Sequence, residues 1–66
     1  MRDYDVAYAM MTFGGSFSSK LGELWMVADA NNQSRIKSAF PELWNEFTEV
    51  VQMQERHAAR AKEDEA

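Results

Sequence analysis

No cysteine occurs in the 66 residues, which excludes disulfide staples and thiolate metal sites. A chain this short buries only about 60% of its unfolded surface, so without staples it must rest on packing or on a partner. Proline occurs once and glycine three times, leaving few enforced breaks in regular structure. No apolar run approaches the roughly 20 residues that span a bilayer. The N-terminal MRDYDVAYAMM is interrupted by acids and lacks a secretory pattern. The expectation is a cytoplasmic protein without a membrane partner. Basic residues are also few, seven against eleven acids, for a net charge of −4. Residues 1–30 hold two basic and four acidic groups, and residues 31–66 hold five and seven. Neither part is a basic arm of the kind that grips phosphate backbones.

What is present is helical periodicity. YDVAYAMMTF, residues 4–13, places Tyr4, Tyr8 and Met11 on one face and Val6, Met10 and Phe13 on another. A helix apolar on two sides has neighbours on two sides: either the second belongs to another molecule, or this helix lies across the middle of the bundle. Gly14-Gly15 ends it, and Ser16 is positioned to cap the next helix. That helix, expected over 17–29, carries Phe17, Leu21, Leu24, Trp25 and Ala28 at spacings of 4, 3, 1 and 3, an amphipathic stripe expected to face the core. Gly22 lies at its margin, and Met26 and Val27 lie off it. Asn31-Asn32 is read as the switch into a short corner helix over 33–40. Ile36, Ala39 and Phe40 should turn inward there, and Gln33, Arg35 and Lys37 outward. Pro41 opens the last helix, whose stripe is Phe40, Leu43, Trp44, Phe47, Val50 and Val51. The expected fold is all-α, a small bundle of three principal helices plus the corner helix. It forms one domain over 1–60, followed by a charged, disordered tail over 61–66.

Catalytic chemistry finds little support in these residues. His57 is the only histidine, and its neighbours Glu55 and Arg56 do not face it on a helix. No nucleophile, base and orienter set is visible, so neither an enzyme nor a cofactor is expected. Glu42, Glu46 and Glu49 recur at spacings of 4 and 3. They form a solvated acidic ridge rather than a metal site, fit to meet a basic patch on a protein. Arg35 and Lys37 are of a type that touches nucleic acid, and with them a small DNA-binding regulator is the alternative reading, disfavoured by the overall charge. Tyr4, Tyr8, Met10, Met11, Met26 and Val27 exceed what a small helical core hides. That surplus points to a protein partner or a second copy.

Residues 15–47, GSFSSKLGELWMVADANNQSRIKSAFPELWNEF, carry a recognisable pattern: Gly15-Ser16-Phe17, Leu21-Gly22, Ala28-Asp29, Asn32, Arg35-Ile36 and Ala39-Phe40-Pro41-Glu42. It resembles that of short open reading frames carried by bacteriophages and prophages. The resemblance covers about half of the chain and brings no catalytic residue with it. It implies a phage-type accessory protein in the host cytoplasm, acting on a host or phage protein. Some small acidic phage proteins inhibit host defence or host enzymes, so an inhibitor of a host defence or nucleic-acid-handling complex is its sharpest version. A self-associating structural or assembly module, including a homodimer, is a further alternative.

Overall fold

The structure, a computed structural model, describes the backbone of residues 1–65 and the side chains of residues 1–59. It is all-α: α1 spans Asp3–Phe13, α2 Ser16–Val27, α3 Ala30–Ala39 and α4 Pro41–Glu65, with no strand among the described residues. The corner element, expected to be two turns, is a ten-residue helix close in length to α1. The tail expected over 61–66 falls outside the residues whose side chains are described.

Helix α1 is the centre of the assembly, in contact with both α2 and α4. The Asp5 carboxylate accepts the Arg2 backbone N–H at 3.0 Å, satisfying one donor at the helix start. Val6, Ala7, Ala9 and Met10 are buried. On α2 only Leu21, Gly22 and Trp25 are buried. Helix α4 contributes Trp44, Phe47 and Val51, with Trp44 and Trp25 in tilted contact at 5.9 Å. Beyond Val51, residues 52–59 are exposed.

Gly22 sets how closely α1 and α2 approach. A Cβ there would lie 2.7 Å from the Ala7 carbonyl oxygen and 2.9 Å from Met11 Cγ. Gly22→Ala gains about 1 kcal/mol in helix propensity. It also overpacks the crossing, at about 1–3 kcal/mol. The nearest obstacle is backbone rather than the tip of a flexible side chain, so the second effect wins. The expected net loss is up to about 2 kcal/mol, read as a fall in Tm of roughly 4–8 °C per kcal/mol. A Tm at or above that of the parent would contradict this crossing.

Several local expectations are corrected. Ser16 does not cap α2: Gly15 is the N-cap residue and makes no side-chain bond. The cap of α3 is Asp29, ahead of the asparagine pair, and its Oδ1 accepts the Asn32 N–H at 2.8 Å. Gln33 does not point outward. Its Nε2 donates to the Trp25 carbonyl at 3.1 Å, a second bond on the oxygen that also accepts the Ala28 N–H at 3.2 Å where α2 ends. Pro41 opens α4 as expected, and the Trp44 N–H reaches back to the Phe40 carbonyl at 3.0 Å.

Candidate functional site

The amphipathic stripe of α2 is only half used inside. Leu21 and Trp25 are buried, but Phe17 is 62% and Leu24 52% exposed, and Val27 is 82% exposed. The reason is helical geometry. At 3.6 residues per turn, Phe17 and Leu24 lie about a quarter turn from Trp25. Helix α1 packs at the Gly22 side, which draws the buried direction of α2 toward Trp25 and away from Phe17 and Leu24. The expectation that the whole stripe is core is therefore corrected.

Helix α3 runs back along this open side. At one end Gln33 bonds to Trp25, and at the other Phe40 meets Phe17 edge to face at 5.5 Å. Between the two helices lies an open groove of about 570 Å³. Its walls include Leu21, Leu24, Ile36 and Ala39, with Asn32 and Arg35 on the α3 side. Phe40 does not plug the core as expected. It is 38% exposed, and Ala39 is exposed beside it. Phe17, Leu24, Val27 and Phe40 thus stand exposed around a groove, on a side of α2 that also carries the exposed Lys20. Exposed apolar surface rimmed by polar residues marks interaction sites.

The residues expected to meet a partner are dispersed. Tyr4 and Tyr8 are exposed and stacked at 6.4 Å, with Met11 on the same side of α1. Met10 is corrected: it is fully buried, because the side of α1 that carries it is the side covered by the bundle. Met26 is half-buried against the core, whereas Val27 is open. Glu42, Glu46 and Glu49 are all exposed on α4, away from its buried residues. No three acidic, histidine or cysteine side chains converge among the described residues.

Arg35 and Lys37 do not act together. Lys37 Nζ pairs with Asp3 Oδ1 at 3.2 Å and lies 5.8 Å from the centre of a Trp44 ring, tying α3 to α1 and α4. Arg35 stays at the groove, 3.5 Å from Asn32 Oδ1. His57 is exposed. No helix among the described residues is long and apolar enough to cross a membrane.

The open face of α2 was missed because periodicity reveals that a helix side is apolar, not what covers it. One signal was present: Gly22, with Ala7, marks where backbones come close, and hence which way α2 turns. Compared with known proteins, the chain matches no family model, no curated protein and no solved structure.

Proposed function

We propose that this chain is a non-enzymatic binding protein that works by protein–protein contact through the apolar face of α2 and α3. The observation that carries the reading is the exposure of Phe17, Leu24, Val27 and Phe40 around one groove. An isolated small domain would be expected to hide or scatter side chains of this size. The stacked Tyr4–Tyr8 pair with Met11, and the ridge Glu42, Glu46 and Glu49, are further contact regions. The tyrosines are of the type that anchors interfaces, and the ridge favours a partner with a basic patch.

The resemblance to phage-borne reading frames supports reading the chain as a phage accessory protein acting in a host cytoplasm. Its sharpest form is inhibition of a host defence or nucleic-acid-handling complex. Regulation through DNA is the weaker reading, since Lys37 is already held by Asp3.

Leu24→Asp tests the reading. Leu24 is half exposed, so the helical circular dichroism should stay within error of the parent. Association through the α2/α3 face, read as capture of a bacterial protein or of untagged copies of the chain, should be lost. A parent chain that associates with neither, or a Leu24→Asp chain that associates as the parent does, refutes it.

A further inference from the structure

We infer that the outer strip of α4 binds the same strip of a second copy of this chain, antiparallel, about a two-fold axis level with position 51. The strip is made of Glu42, Glu46, Glu49, Met53, Arg56 and, next in the sequence, Arg60. The spacings are 4, 3, 4, 3 and 4, the seam period of paired helices. At 3.6 residues per turn these positions lie within about a quarter turn of one another, opposite the buried Trp44, Phe47 and Val51. The residues from Glu42 to Arg56 on this strip are all exposed.

The strip is a palindrome in spacing and reverses in charge. Positions 42, 46 and 49 mirror 60, 56 and 53 about 51. Acids fill the first half and arginines the second, with Met53 between them. An isologous contact needs one patch that fits itself, and an antiparallel two-fold sets each position level with its mirror. Glu46 then meets Arg56 of the partner subunit, twice in each dimer. The methylene stem of Glu49 lies on Met53 of the partner subunit, and Glu42 comes level with position 60, an arginine in the sequence. A parallel pair would set like charges together. A foreign basic segment would match the acids but be repelled by Arg56.

Nothing within one chain uses this pattern. Three acids at spacings of 4 and 3 repel one another on a helix. Glu42, Glu46, Glu49 and Arg56 enter no ion pair among the described residues. The nearest acid and base of the strip, Glu49 and Arg56, stand about 10 Å apart along the axis. Compensation of the helix dipole is confined to the first and last turns, and Glu46, Glu49 and Arg56 lie inside α4. Met53 is the one apolar member of the strip, so the dimer is a weak one held largely by charge. The acidic ridge thereby gains its basic counterpart on a surface separate from the α2/α3 face, whose groove stays open on both copies.

Sedimentation equilibrium of the full chain, from low micromolar to near-millimolar concentration, tests this. The expected result is a monomer–dimer equilibrium at about 0.05 M salt, with a dissociation constant at least tenfold higher at about 0.5 M, where the charges are screened. Met53→Glu, which sets a carboxylate against Glu49 of the partner subunit, should abolish the dimer. Glu46→Arg and Arg56→Glu should each weaken it about tenfold, because two exposed pairs are lost per dimer, and the double reversal should restore it. All three positions are exposed, so circular dichroism should match the parent. A chain that stays monomeric throughout, a dimer indifferent to salt, or a double reversal no better than the singles overturns the proposal. So does a dimer lost in Leu24→Asp but kept in Met53→Glu, which would put the contact on the α2/α3 face. Capture of a bacterial protein through that face is scored in the Met53→Glu background, so that either surface can fail without the other.

Discussion

Trp44→Ala is expected to leave the chain largely unfolded at 25 °C. Trp44 is 4% exposed, lies against Trp25 at 5.9 Å and is covered by the Lys37 ammonium at 5.8 Å. It is the point at which α4 reaches α2 and α3. Truncating a buried tryptophan costs about 3–5 kcal/mol, from lost transfer energy and the cavity left behind. A 66-residue domain has in total only about 3–10 kcal/mol. The loss thus takes most of what there is, and no disulfide or metal-bound cysteine compensates, because the chain contains no cysteine. Far-UV circular dichroism should fall and the cooperative urea transition should vanish. Trp44→Phe, which keeps an aromatic ring in the site, should restore both at reduced stability. A Trp44→Ala chain with a cooperative transition within about 1 kcal/mol of the parent would show that this packing is wrong.

The neighbouring pair Met10 and Met11 provides the second large effect, through contrast. Met10 is fully buried, one of the two largest side chains so enclosed, whereas Met11 is at the surface. Met10→Ala should cost about 2–5 kcal/mol, and Met11→Ala clearly less, about 1 kcal/mol, since Met11 is 36% exposed and touches α2 near Gly22. The two substitutions remove the same atoms from adjacent positions, so helix propensity cancels between them. Urea unfolding of both measures burial alone. Equal losses would mean that α1 is rotated about its axis from the orientation described.

The contrast also shows what could be read from the residues beforehand. The helices themselves were legible: Gly14-Gly15 and Pro41 punctuate the chain, and the 3.6-residue recurrence fills the spaces between. The buried members of α4, Trp44, Phe47 and Val51, all belong to the stripe recognised at the outset. The rotation of α1 and α2 was not legible. On α1 apolar residues run around more than half of the circumference, and periodicity ranks its sides equally; on α2 periodicity marks a stripe but not which part of it is covered. The choice is made by contacts distant in sequence, chiefly the approach of Ala7 to Gly22. Met10 accordingly moved from the expected contact surface to the centre, and Phe17 and Leu24 moved outward. The start of α3 was misplaced for a local reason. Asp29 and the two asparagines can all cap a helix, and the bond from Asn32 to Asp29 decides among them.

Helix α3 has no buried residue. It is fastened along its edges, by Asp29 at its start, Gln33 on Trp25, Lys37 on Asp3 and Phe40 on Phe17. Ten residues detached from such supports are too few to remain helical alone in water. Release from the bundle and loss of its own turns are therefore one event, cheaper than global unfolding because little apolar surface is uncovered. Such openings would set the pace of amide exchange along α3, while α1 would hold its protons until the whole chain unfolds. The segment beside the groove is thus also the one most readily reshaped by whatever enters it.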